Sequence, residues 1–152
     1  MAIVNTAKIT PFLWFEKDGR EAAEYYTSIF PGSRILSDNG MVTNFELSGQ
    51  RMAILTAGPH HPFNDAISFY VDCRDQEEVD RYWDRFIDDG GTESMCGWLQ
   101  DRYGVRWQLI PQALIRLTND PDPARAKRVV GAMLRMKRIV VRDLEQAYKD
   151  PS

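Results

Sequence analysis

The sequence is short of the residues from which common catalytic and metal centres are built. It has two cysteines, Cys73 and Cys96, far apart and outside any CxxC pattern, so neither a disulfide framework nor a cysteine zinc site is available, and a reducing cytoplasmic setting is expected. The histidines are also two, and they are adjacent, His60 and His61. Neighbouring residues rarely aim at one ion, so the pair alone is a poor metal site. No apolar run approaches the roughly eighteen residues of a membrane-spanning helix, and no membrane association is expected. The opening residues, MAIVNTAKITP, lack a basic start followed by an apolar core and a small-residue cleavage site, so no secretory leader is expected. A net charge of −3 provides no concentrated basic face for phosphates, which argues against nucleic acid as a partner. Also missing is a G-x-G-x-G turn of the kind that nucleotide cofactors and S-adenosylmethionine need. The glycine pair Gly90-Gly91 closes a helix pattern instead of opening one.

What is present fits one globular domain over residues 1–152, with 43% hydrophobic and 27% charged residues. A chain of this size buries roughly two thirds of its unfolded surface without a staple. Charge is unevenly spread: residues 122–152 hold 8 basic and 4 acidic side chains, against 11 and 18 in the rest. The basic residues of this tail, such as Arg128 and Arg138, read as the wet face of terminal helices lying over acidic parts of the body.

The pattern along the chain repeats. Ile9–Phe15 (ITPFLWF) reads as a strand, and Gly19–Phe30 (GREAAEYYTSIF) as a helix stopped by Pro31-Gly32. Ala66–Cys73 (AISFYVDC) and Asp75–Asp89 (DQEEVDRYWDRFIDD) repeat that strand and helix. Superposing Phe15 on Val71 sets an offset of 56 residues, which pairs Tyr26 with Tyr82 and Phe30 with Phe86. Further strands are expected at Arg34–Ser37, Met41–Leu47 and Arg51–Thr56, and around Cys96–Leu99 and Val105–Ile110, with turns at Asn39-Gly40, Ser48-Gly49 and Tyr103-Gly104. The expected fold class is therefore α+β: two βαβββ modules, about 7–57 and 66–111, with a cleft between them, followed by C-terminal helices over about 112–149. In that tail Asp120-Pro121-Asp122-Pro123 suits a helix start, and Val129, Val130, Met133, Leu134, Met136 and Ile139 form an apolar stripe for core or subunit contact. A second short helix is expected over Val141–Lys149.

Four stretches carry a family resemblance: ITPFLWFEKDGREAAEYYTSIFPGSRI, AISFYVDCRDQEEVDRYWDRF, GGTESMCGWLQDRYGVRWQLIP and DPDPARAKRVVGAMLRMKRIVVRDLEQAY. Together they resemble the vicinal oxygen chelate superfamily of glyoxalases, bleomycin-resistance proteins and extradiol dioxygenases. Within it, the likeness is to the PhnB-like group labelled 3-demethylubiquinone-9 3-methyltransferase. The resemblance implies a glyoxalase/bleomycin-resistance-type half-barrel cleft and a homodimer. Metal-dependent members place four His, Glu or Gln ligands on the first and last strands of the two modules. By spacing, those positions fall here at Thr10, Ile54, Ala66 and Gln108. Of these only Gln108 carries a side chain of the ligand type, and one neutral amide makes no site. No metal and no cofactor are therefore expected.

The remaining candidates are aromatic or isolated. Phe12 and Trp14 share one face of the first strand by alternation, with Leu13 and Phe15 on the other. Trp107 and Gln108 must likewise point oppositely, with Trp107 beneath a helix if Gln108 lines the cleft. The cleft candidates are thus Gln108, Phe12, Trp14, Trp98, Cys96, Glu46 and His60. Cys96 in a strand reads first as a small buried hydrophobe, His60 as part of a proline-marked linker, and Glu46 and Asp101 as carboxylates with no visible partner acid. These features point to a metal-independent protein that binds a small aromatic or apolar molecule. The alternative is an enzyme of the same superfamily in which Gln108, with His60 or Glu46, polarises a small metabolite.

Overall fold

The computed structural model describes residues 7–150. The chain divides into two compact units, Met1–Pro62 and Phe63–Ser152. No helix among the described residues is long and apolar enough to cross a membrane.

The first unit contains β1 (Phe12–Phe15), α1 (Gly19–Ile29), β2 (Arg34–Asp38), β3 (Val42–Leu47) and β4 (Gln50–Thr56). Its sheet has the order β1-β4-β3-β2, so the first strand returns to pair in parallel with the last, Phe12 opposite Ala53 and Phe15 opposite Thr56. The β3–β4 hairpin turns at Ser48 and Gly49, both at positive φ (46° and 88°), which is the type I′ geometry suited to strand twist. One face of the sheet lies under α1. Tyr26 stacks on Phe45 with ring centroids 6.5 Å apart, and both rings are buried. Gly19, the first residue of α1, sits so close to β4 that a Cβ there would lie 2.6 Å from Ile54 Cγ2. Leu13, Phe15, Phe45, Met52 and Ile54 form this core face, and each is less than a tenth exposed.

The second unit repeats the plan with β5 (Phe69–Cys73), α2 (Gln76–Asp88), β6 (Thr92–Glu93), β7 (Trp98–Gln100) and β8 (Arg106–Pro111) in the order β5-β8-β7-β6. Here α2 covers Trp107, whose ring lies 5.1 Å from that of Phe86, together with Leu99 and Leu109. The burial pattern corrects the repeat register. Ala22, Tyr25 and Tyr26 are buried as Val79, Tyr82 and Trp83 are, so the helices match one residue later than an offset of 56 gives. The strands end 58 residues apart, at Phe15 and Cys73, and the connector before α2 (Arg74 and Asp75) is one residue shorter than that before α1 (Glu16 to Asp18), which leaves the helices 57 apart. The strand expected at Cys96–Leu99 also begins later, at Trp98. Cys96 lies in the turn before it at φ 59°, and its N–H donates to Met136 O at 2.8 Å.

The tail forms α3 (Gln112–Thr118), α4 (Pro123–Met133) and α5 (Val141–Lys149). Asp122 caps α4 by accepting from Ala124 N, with Pro123 in the first helical position. Ile110, Leu114, Leu117, Val129, Ala132, Ile139 and Leu144 make one buried cluster that joins this tail to the end of β8. Of the apolar stripe, Val129 and Ile139 are buried, while Val130 and Leu134 remain exposed. Arg138 reaches back to α2, donating to Asp80 and Asp84 at 3.2 and 2.7 Å beside the Trp83 ring. It thus lies over acidic body residues as the charge asymmetry suggested.

Candidate functional site

Alternation along the strands sorts the candidate residues onto the sheet faces turned away from α1 and α2. In the first unit this face carries Phe12 and Trp14 from β1, Arg51, Ala53 and Leu55 from β4, Val42, Asn44 and Glu46 from β3, and Arg34 and Ser37 from β2. The register arranges them in rows. Trp14 lies opposite Leu55, which lies opposite Val42; Phe12 lies opposite Ala53, which lies opposite Asn44; and Arg51 lies opposite Glu46, which lies opposite Arg34. Phe12 is 58% exposed despite its size. Trp14 is held more firmly, because its Nε1–H donates to Gly58 O at 2.8 Å and both histidines approach its ring edge-on. The centroids of His60 and His61 lie 6.2 and 4.7 Å from that of Trp14. Gly58 permits this return of the loop, with φ at 92°. Glu46 is engaged by Arg34 Nε at 3.2 Å.

In the second unit the corresponding face carries a row across β5, β8 and β7: Tyr70 opposite Gln108, and Gln108 opposite Trp98. Gln108 donates from Nε2 to Ser68 Oγ at 2.7 Å. That bond fixes the amide, and among the described residues no protein donor reaches Oε1. An acceptor therefore stands between two aromatic side chains, one of which, Tyr70, is 51% exposed. Burial, followed by the neighbouring Asp72 charge, holds the Tyr70 phenol above its usual range, so it stays a neutral donor at neutral pH. Arg106 lies further along the face, donating to Asp65 at 2.8 Å and to Gly104 O at 2.7 Å.

The chain thus brings Phe12, Trp14 and Glu46 onto one sheet face, sets His60 against Trp14, and places Gln108 beside Trp98. Cys96 stands apart, in the turn anchored to the tail. Asp101, considered as a base, is 2% exposed and holds the β7–β8 turn, accepting from Tyr103 N, Val105 N and Trp107 Nε1. Ile54, assigned by spacing to the ligand-bearing face, lies instead under α1 against Gly19, and Ala66 lies in a turn before β5. The β4 residues on that face are Arg51, Ala53 and Leu55, none of which is a metal ligand. Among the described residues no three His, Cys, Asp or Glu side chains converge on a point where a cation would sit. The residues present do not fit a divalent metal. Arg51 and Ser68 escaped the sequence reading. For Arg51 the signal available was alternation within its own strand, where Met52 and Ile54 mark the core side and leave Arg51 on the other face. A separate groove of about 610 Å³ runs between α4 and α5, lined by Arg128, Ala132, Arg135 and Gln146 among others, and includes none of the candidate residues.

Residues 7–110 match the sequence model of the family described as 3-demethylubiquinone-9 3-methyltransferase. The match stops short of the tail, to which the sequence resemblance had been extended. Among solved structures, a putative 3-demethylubiquinone-9 3-methyltransferase, PhnB protein, from Bacillus cereus is 35% identical with a TM-score of 0.63, over 69% of this chain and 99% of that one. Protein PA1353 from Pseudomonas aeruginosa is 19% identical with a TM-score of 0.58, over 67% of this chain and 95% of that one. The fosfomycin resistance protein FosX from Listeria monocytogenes, crystallised with Mn(II) and sulfate, is 16% identical with a TM-score of 0.56, over 70% of this chain and 90% of that one. No curated protein matches the chain.

Proposed function

Since the chain belongs to the 3-demethylubiquinone-9 3-methyltransferase family of the vicinal oxygen chelate superfamily, we propose that it uses this fold, without a metal, to bind a small aromatic or apolar molecule. The observation that carries the reading is the Tyr70–Gln108–Trp98 row. An amide oriented by Ser68 offers its carbonyl oxygen between two flat side chains, which suits a planar ligand with one hydrogen-bond donor. The donor set supports metal independence: Gln108 has no carboxylate or imidazole beside it to complete a coordination sphere. Methyl transfer from S-adenosylmethionine finds no support in the residues, because no glycine-rich strand-to-helix turn is present to cradle the cofactor. The two free thiols accord with a cytoplasmic protein, and the exposed Ile67 just before the edge strand β5, with Tyr70 on it, accords with a homodimer.

The test uses protein purified without a histidine tag. Elemental analysis is expected to find far less than one Zn, Ni, Mn or Fe per chain, and stoichiometric metal would overturn the reading. Tryptophan fluorescence titrated with 1-naphthol is expected to saturate. Gln108→Leu is expected to weaken that binding roughly tenfold, the value of about one lost hydrogen bond to a buried acceptor. Stabilisation by S-adenosylmethionine that vanishes in Gln108→Leu would revive the methyltransferase reading instead.

A further inference from the structure

We infer that Arg51 and Phe12 form a receptor for an aryl anion, a flat ring carrying a carboxylate or phosphoryl group. The inference rests on the small-molecule reading above and specifies the ligand class for the first unit. Arg51 stands directly opposite Glu46 in the β3–β4 register, where a cross-strand ion pair would be expected. The pair is not made. Glu46 turns to Arg34 on its other side, at 3.2 Å, and Arg51 is left with no acceptor for its guanidinium among the described residues. Its Nε is buried and unpaired, the one such side-chain atom found among them. Buried donors in folded proteins nearly always have partners, so an orphan of this kind marks a position where an acceptor arrives from outside the chain. Over Arg34, Glu46 and Arg51 the row carries one net positive charge, and a guanidinium fork matches the paired oxygens of a carboxylate or phosphoryl group.

The second half of the receptor is the ring. Phe12 lies on the same sheet face, on the strand adjacent to Arg51, opposite Ala53. Strand spacing and rise put the Cα atoms of Phe12 and Arg51 about 8 Å apart, the distance at which one ring with an attached anionic group reaches both. Phe12 is 58% exposed, and no aromatic ring of the described residues packs on it. The intervening Ala53 has only a methyl group, so no side chain stands as a wall between ring and cation. Neither Trp14, bonded to Gly58 and flanked by histidines, nor Arg34, engaged by Glu46, is uncommitted in the same way.

Calorimetric titration of the full chain at low ionic strength tests this with benzoate, phenyl phosphate and the neutral isostere benzamide. At least one aryl anion is expected to bind ten or more times more tightly than benzamide, and whichever anion is tighter identifies the group recognised. Arg51→Met is expected to abolish that preference, Arg51→Lys to restore part of it, and Phe12→Leu to weaken all three probes together. Arg51→Met is also expected to melt at or above the wild-type temperature, because it removes a buried donor without a partner. Equal affinity for benzamide, a preference that survives Arg51→Met, or acetate and inorganic phosphate binding as tightly as the aryl forms would each overturn the inference. If 1-naphthol binds while the anion preference is absent, the receptor assignment fails and the general binding reading stands; if no aromatic probe binds, both fail.

Discussion

At the scale of single residues, adjacent positions on β8 take opposite parts. Trp107 and Gln108 follow one another, yet one is 3% exposed beneath α2 and the other presents its amide on the far face. Alternation alone made that division legible, as it did for Leu13 against Trp14. The fate of Asp101 was not legible, because nothing in the order of residues shows that three N–H groups converge on one carboxylate. Asp101 is buried at 2% exposure and acceptor-only when ionised, so each of those donors matters. Trp107→Phe keeps a ring against Phe86 but removes the indole N–H that donates to Asp101 at 2.9 Å. The expected loss is about 1–3 kcal/mol of unfolding free energy, measured by urea denaturation with unchanged m-value. A loss well below that range would show that water reaches the carboxylate once the indole has gone.

At the scale of elements, the two helices begin differently although the repeat aligns their opening aspartates. Asp18 precedes α1 with a left-handed backbone, φ 59°, and makes no capping bond through its side chain. Asp75 precedes α2 in an extended conformation and accepts from Glu78 N at 3.0 Å. That backbone hydrogen bond, followed in weight by the Arg74 charge after burial is set against it, holds the Asp75 carboxyl below its ordinary value of 3.8. A depressed acid binds protons more readily in the unfolded chain, so its stabilisation is complete well above pH 3.8 and is lost as the pH falls through the lower native value. Asp75→Ala is therefore expected to lower the melting temperature by a few degrees at neutral pH, and the gap from wild type should narrow as the pH is taken below 4. A gap independent of pH would mean that the cap acts through shape and not through charge. The acidic start of α2 and its stop at Gly90-Gly91 were readable as patterns. The true register between the modules was not, since it depends on where β1 and β5 end, at Phe15 and Cys73, as well as on the one-residue difference in the connectors before the helices.

At the scale of the whole molecule, the duplicated βαβββ plan was legible because each unit restates the same periodicities, and the C-terminal helix Val141–Lys149 was placed at the bounds observed. One part of the tail's attachment was hidden, because it engages backbone groups of the tail, which residue order does not single out. Gln76, the first residue of α2, donates from Nε2 to Ile139 O at 3.0 Å and accepts from Val141 N at 2.7 Å, while Cys96 and Gly97 donate to Met136 O and Lys137 O. Gln76→Ala leaves two of these groups unpaired. It is expected to lower stability by about 1 kcal/mol or more and to raise amide hydrogen exchange selectively over residues 136–149. Uniform exchange across the chain would instead assign Gln76 to the general stability of α2. The sheet order has one further consequence, for the kinetics of folding. In each unit the first strand is completed only by the last, so Phe12 waits for Ala53 and Phe69 for Trp107. Hairpin zipping can begin early, but neither ladder is sealed until a loop spanning most of its module has closed. The barrier to folding is therefore set by that loop entropy and not by the short local turns.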